Sequence, residues 1–225
     1  MIGTLVNVIA IIIGGSIGLL FRTKIPERMF KIVFQAIGVF TLYLGVSMAL
    51  KANELLLMVF SLVVGSLIGE GLRLEERVEN LSELLKRKIG SKEDKFSTGF
   101  VTAFMLFCLG TLTILGSIEE GMGKEPTLLM TKSVMDGFSA IALAAVMGVG
   151  VIFSVIPLLI YQGGLTLLAA LFGEVIPEVI INEIAGVGGI LIIGLGISIL
   201  EIKKIKVLNM LPALLIEVLL CYIFL

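Results

Sequence analysis

Apolar runs long enough to cross a bilayer recur from one end of this 225-residue chain to the other, and they leave little room for a soluble fold. Eight can be marked, at roughly 2–21, 32–50, 55–70, 99–118, 133–156, 158–173, 179–200 and 207–225. Most reach the ~20 residues that span ~30 Å of hydrocarbon at ~1.5 Å per residue, while the third and sixth are short. Hydrophobic residues make up 58% of the chain and the mean hydropathy is +1.13, more apolar surface than a soluble domain of this size can bury. The expected fold class is all-α, a polytopic membrane helix bundle of about eight transmembrane helices forming one membrane domain over 1–225. The first run, Ile2–Phe21, lacks a basic leader and a small-residue cleavage site, so it reads as a spanning helix and not a signal peptide.

Charge is confined to the connections and gives an orientation. If all eight segments span, the loops at 22–31, 71–98 and 201–206 share a side with the uncharged turn at Pro157, and they hold 14 of the 17 Lys and Arg. Basic residues accumulate in cytoplasmic loops, so both termini are expected outside. A seven-helix count would put the basic 201–206 loop outside, against that rule. Net charge of −1 gives no footprint for nucleic acid. The chain has no histidine, and its two cysteines, Cys108 and Cys221, sit inside apolar runs. Neither a disulfide framework nor a His-based metal or catalytic centre is expected, and no cofactor is implied. The 71–98 connection places Leu74, Val78, Leu81 and Leu85 at a 4-3-4 spacing among charges, which predicts an amphipathic cytoplasmic helix closed by Gly90.

The chain also repeats itself. Ile25-Pro26-Glu27 returns as Ile176-Pro177-Glu178, 151 residues later. At that offset Leu20, Phe21, Gly38, Leu44, Gly45 and Ser47 match Leu171, Phe172, Gly189, Leu195, Gly196 and Ser198 without a gap. The glycine pairs Gly14-Gly15 and Gly163-Gly164 match at offset 149. This reads as a duplication of about 70 residues. Repeat one is 1–70, the cytoplasmic helix 71–98, the central helices 99–156 and repeat two 157–225. Two helices separate copies of three, so the second copy enters the membrane in the opposite sense. The first Ile-Pro-Glu loop is basic (Arg22, Lys24, Arg28) and the second has no base, as an inverted-topology repeat requires.

Inverted repeats build secondary transporters, whose sites lie where the copies meet, often at interrupted helices. The recurring glycine pairs Gly14, Gly15, Gly163 and Gly164 are therefore candidate substrate-binding positions, with close helix packing by small residues as the competing reading. Few polar residues lie inside apolar segments: Asn7, Asp136, Ser139, Gln162, Glu183, Asn209 and Glu217. Ionisable groups at membrane depth are expensive and mark functional sites. Asn7, Ser117 and Gln162 are taken as further substrate contacts, and Asp136 and Glu217 as ion-coupling acids. The plainer alternatives are an i,i+4 pair of Asp136 with Lys132 and a protonated Glu217 hydrogen-bonded to a neighbouring helix.

The runs Gly3-Thr4-Leu5-Val6-Asn7, Gly110–Gly121, Lys132-Ser133-Val134-Met135-Asp136-Gly137, Ser154-Val155-Ile156-Pro157 with Tyr161-Gln162-Gly163, and Asn209-Met210-Leu211-Pro212-Ala213 resemble the YdfK/YqgA-like bacterial membrane proteins. The resemblance covers essentially the whole chain. It implies an integral inner-membrane protein and supplies no substrate. The expected function is a small secondary transporter or channel-like carrier of a solute or ion, coupled to H⁺ or Na⁺. The alternative is a non-transporting membrane scaffold or sensor acting through the 71–98 helix. An enzyme is not expected, because no nucleophile–base pair is evident. The implied partners are the lipid bilayer and a small solute or ion, with no nucleic acid. The oligomeric state is open, a homo-oligomer included.

Overall fold

A computed structural model describes residues 1–22, 27–108, 111–172 and 177–225. Ile25, Pro26 and Ile176 of the repeated triplets, and Gly110, lie outside the described residues. Among the described residues every regular element is helical: α1 (Ile2–Arg22), α2 (Glu27–Ala49), α3 (Leu55–Leu72), α4 (Leu74–Lys88), α5 (Phe96–Cys108), α6 (Thr111–Gly121), α7 (Thr127–Met147), α8 (Gly150–Phe153), α9 (Val155–Phe172), α10 (Glu178–Ile199), a 3-10 turn (Val207–Met210) and α11 (Pro212–Phe224). Among the described residues six helical stretches are long and apolar enough to cross a membrane: Ile2–Arg22, Leu55–Leu72, Thr127–Met147, Gly150–Leu171, Val179–Ile199 and Val207–Phe224. α5 and α6, whose axes differ by 60°, together make a bent seventh, and Gln35–Ala49 of α2 is a shorter apolar stretch.

Two boundaries differ from the sequence reading. The expected break at Pro157 lies instead at Gly148, which takes φ +85 between α7 and α8. Only glycine enters that region without strain. Pro157 sits in the first turn of α9, where its missing N–H would have no intrahelical acceptor. Lys132, one residue ahead of the apolar run marked at 133–156, is a buried residue of α7. The amphipathic helix is present as α4, closed by Gly90 at φ +66. Its buried positions include Glu75 and Ser82, whereas Leu81 is exposed.

The chain divides into two compact units. The first comprises Met1–Val33, Glu79–Cys108 and Leu112–Val175, and the second Phe34–Val78, Leu109–Thr111 and Ile176–Leu225. In unit 1, α1 lies along α7 and runs in the same direction. Gly3 meets Leu129, Gly14 meets the carbonyl of Gly137, and Gly18 meets the carbonyl of Ile141. A Cβ on Gly14 would stand 2.2 Å from the Gly137 oxygen, and one on Gly15 2.5 Å from Ile152. Gly14-Gly15-Ser16-Ile17-Gly18 is thus a small-xxx-small contact that lets two backbones touch. α1 continues unbroken through Gly14-Gly15, and α9 through Gly163-Gly164, so the expected interruption of these helices is not found. The physical reason at Gly14-Gly15 is packing: the pair removes side chains at a crossing instead of freeing backbone groups. The charged end of this unit is tied at the α7–α8 break, where Glu93 pairs with Arg22 and accepts the Val149 N–H at 2.9 Å.

In unit 2, helices pack antiparallel through the same device. Along α2 and α10, Gly38 meets Leu200, Gly45 meets Ile193, and Gly189 meets Ala49. Along α3 and the start of α11, Gly65 meets Ala213, and Gly69 meets the Asn209 carbonyl just before α11. Outward-facing Leu, Ile, Val and Phe cover α1, α3 and α9, as lipid-facing surfaces require. Asn209 joins elements at the end of this unit. Its Oδ1 accepts the Glu75 N–H at the start of α4 (2.7 Å), and its Nδ2 donates to Glu70 (2.6 Å). Lys206 completes the cluster on Glu70 at 2.7 Å, and that carboxylate holds the Lys206 ammonium above its ordinary range.

Candidate functional site

Unit 1 buries a directional chain of polar side chains. α1 places Thr4 and Asn7 one turn apart on its buried face. Asn7 Nδ2 donates to Asp136 Oδ2 on α7 at 3.0 Å and to Gln162 Oε1 on α9 at 3.2 Å. Gln162 Nε2 donates to the Thr4 hydroxyl at 3.2 Å, and that hydroxyl donates to Glu120 on α6 at 3.4 Å. The Gly3 N–H also donates to Glu120, at 2.7 Å. Asp136 is ion-paired with Lys132 one turn earlier, and both are buried. The plain i,i+4 pair is present, and one carboxylate oxygen of Asp136 takes both the ammonium and the Asn7 amide.

Two oxygens of this region are left over. Asn7 Oδ1 and Ser117 Oγ are buried and have no hydrogen-bond partner among the described residues. Ser117 follows Gly116, which packs on Leu129, the residue that also meets Gly3. Buried polar atoms are normally satisfied, and each exception calls for an explanation such as a bound molecule.

Of the sequence candidates, Asn7, Asp136 and Gln162 are brought into one hydrogen-bonded group, and Ser117 lies in the same unit. Gly14 and Gly15 face helix neighbours. Gly163 faces the Met1 side chain, with 2.9 Å from a built Cβ to Met1 Cε, and Gly164 has nothing within 4 Å. Glu217 belongs to unit 2, where it is buried beside Ser61 and Cys221 and leaves its Oε2 without a partner among the described residues. Sequence reasoning missed Thr4 and Glu120. Both carried a signal: each is one helical turn from a chosen residue, Thr4 from Asn7 and Glu120 from Ser117. Nothing in the sequence pointed to Ser61.

Among the described residues this architecture is that of an all-helical protein with six candidate membrane spans and buried polar groups in each of its two units. The chain belongs to the family described as "Protein of unknown function (DUF554)", whose model matches residues 2–222. It is 36% identical over 220 residues to "Uncharacterized membrane protein YdfK" of Bacillus subtilis (strain 168), covering 96% of this chain and 93% of that protein. It is 34% identical over 223 residues to "Uncharacterized protein YqgA" of Escherichia coli (strain K12), covering 96% of this chain and 94% of that one. No solved structure matches it.

Proposed function

We propose that this protein is a small secondary carrier of the bacterial plasma membrane, binding a polar solute or ion at the Asn7–Gln162–Asp136 cluster of unit 1. The observation that carries the reading is the pair of buried, unpartnered oxygens, Asn7 Oδ1 and Ser117 Oγ. Leaving such a group unpaired costs about 1–3 kcal/mol, and a ligand offering N–H or O–H donors, or a cation, would relieve it. The Lys132–Asp136 pair is neutral as a whole, which suits a solute without large net charge. The site rests on side chains and not on the freed backbone of a broken helix.

Helix directions favour the eight-span inverted repeat over the lower counts. α1 parallel to α7, α2 antiparallel to α10 and α3 antiparallel to α11 are all reproduced by eight crossings, counting α2 and the bent α5–α6 pair as one span each. Six crossings would make α3 and α11 parallel, and seven, with either α2 or α5–α6 left out, would make α1 and α7 antiparallel. Under the 151-residue offset α1, α2 and α3 correspond to α9, α10 and α11; α1 packs on α9, α3 on α11, and the Gly38–Ala49 part of α2 on α10. The basic loops then put both termini outside. Cysteines introduced at Arg28 and Lys204 are expected to resist membrane-impermeant reagents applied from outside, and labelling at either position reverses the orientation.

The functional test is a ligand screen by thermal shift on purified protein, followed by uptake into reconstituted vesicles, since binding to the native state raises apparent stability. A stabilising solute should lose its effect in Asn7→Ala and Gln162→Ala while both variants remain folded. A solute that stabilises both variants as well as the parent protein refutes the site. Absence of uptake for every stabilising solute favours the scaffold or sensor alternative.

A further inference from the structure

Unit 2 contains a second group with unmet chemistry, built differently from the first. Glu183 on α10 and Glu217 on α11 are both fully buried. Glu183 is satisfied as a carboxylate: one oxygen accepts the Asn53 N–H at 2.8 Å and the other the Glu54 N–H at 3.2 Å. These amides open α3, whose N-cap Glu54 makes no side-chain cap of its own, so a carboxylate from another helix caps it. Glu217 has no such donors. Cys221 Sγ stands 3.9 Å from its Oε1, a weak contact, and its Oε2 has no partner among the described residues. Ser61 on α3 lies beside it, with its hydroxyl directed at the Met58 carbonyl at 2.9 Å. The charges that reach Glu217 and Cys221 are carboxylates, those of Glu183 and Glu54.

We propose that Glu217 is a proton-binding site, with the amide-bound Glu183 carboxyl group on the neighbouring helix and Ser61 as the acceptor of its proton. The Glu217 carboxylate takes one proton from water and becomes a neutral acid, and releases it unchanged in the reverse step. No other bond is made or broken. In the protonated form the Glu217 O–H donates to Ser61 Oγ, which in turn donates to the Met58 carbonyl, giving a chain with every hydrogen placed. A metal cation fits less well. Hard cations gather about six or more oxygens, whereas Glu217 and Ser61 present few and the Glu183 oxygens are spent on α3. This deepens the carrier reading by naming its coupled ion, and it rests on that reading only for the coupling. Proton binding at Glu217 succeeds or fails whether or not a solute is carried.

The test uses the full chain in lipid vesicles and the apolar carbodiimide N,N′-dicyclohexylcarbodiimide, which condenses with protonated carboxyl groups. Peptide mass spectrometry should place the adduct on Glu217 and not on Glu183. Its yield should fall about tenfold per pH unit once the pH passes the midpoint of titration. It should be unchanged when choline chloride is replaced by sodium chloride at fixed pH, and should vanish in Glu217→Gln. An absence of adduct on Glu217 at every pH overturns the proposal, and so does modification of Glu183 in its place. Protection by sodium at fixed pH overturns it in favour of a metal-cation site. The decisive readings come from the unmodified protein, so a poorly folding variant does not blunt them.

Discussion

The two units share a packing device and differ in what they bury. Gly14 against Gly137 in unit 1 and Gly69 against Asn209 in unit 2 both bring helix backbones into contact. Their polar interiors follow opposite rules. Unit 1 supplies each buried charge with an opposite or a donor: Lys132 for Asp136, and the Gly3 amide for Glu120. Unit 2 supplies amides for Glu183 and leaves an oxygen of Glu217 bare. In a low-dielectric interior a paired base fixes the charge of a carboxylate. Without one, the charge state is decided by the proton. Unit 1 thus holds an acid with a base beside it, and unit 2 an acid with a bare oxygen.

The largest test of this contrast is to remove the acids separately. Asp136→Asn leaves the Lys132 ammonium buried and unpaired, and is expected to cost about 3–5 kcal/mol. Glu217→Gln replaces a carboxyl by its neutral isostere and is expected to cost under about 1 kcal/mol, the scale of one hydrogen bond. Unfolding of both variants in one detergent measures the gap, and equal losses would erase the distinction between the units. A smaller effect probes the shared packing. Gly14→Val and Gly69→Val are expected to cost about 1–3 kcal/mol or more, because the opposing atoms are backbone. A Cβ there would lie 2.2 Å from the Gly137 oxygen and 1.9 Å from the Asn209 oxygen. Gly164→Ala, with nothing within 4 Å, should instead stabilise by up to about 1 kcal/mol through helix propensity. A destabilised Gly164→Ala would return that glycine to the candidate site. The smallest effect is expected at the exposed Lys206–Glu70 pair of unit 2, where Lys206→Ala should barely move the unfolding temperature. Its pH dependence has a definite sign. The Lys206 value is raised in the folded protein, so the contribution is complete below the ordinary 10.5 and fades as pH climbs through the raised value. A contribution that grows with alkalinity would contradict the pairing.

Much of the fold was legible in the sequence, and some of the site. The apolar runs located nearly every helix, and the 4-3-4 leucine spacing located α4. The rule that ionisable and amide residues at depth are functional selected Asn7, Asp136 and Gln162, which the fold joins by direct hydrogen bonds. The glycine pairs left two readings open, a break or a close crossing, and α1 and α9 run unbroken through them. A glycine pair is compatible with a broken helix or with a close crossing, and only the neighbour across the gap separates the two. Pro157 was assigned as a boundary. A proline is equally at home in the first turn of a helix, and Gly148 was the true break.

By itself the sequence determined that the chain is helical and built for a membrane. In hydrocarbon each backbone N–H and C=O must find its partner within its own segment, so long apolar runs have one solution. It also set the charge of the connections, because charge is a property of residues and needs no neighbour. The tertiary structure alone decided which polar atoms meet and which stay unpaired. Asn7 and Gln162 are 155 residues apart in the chain and 3.2 Å apart in space. No local spacing encodes that approach, which is set by how α1 and α9 pack on one another. Whether Glu217 has a base beside it is likewise a fact about packed helices, and the chemistry proposed for it follows from that packing.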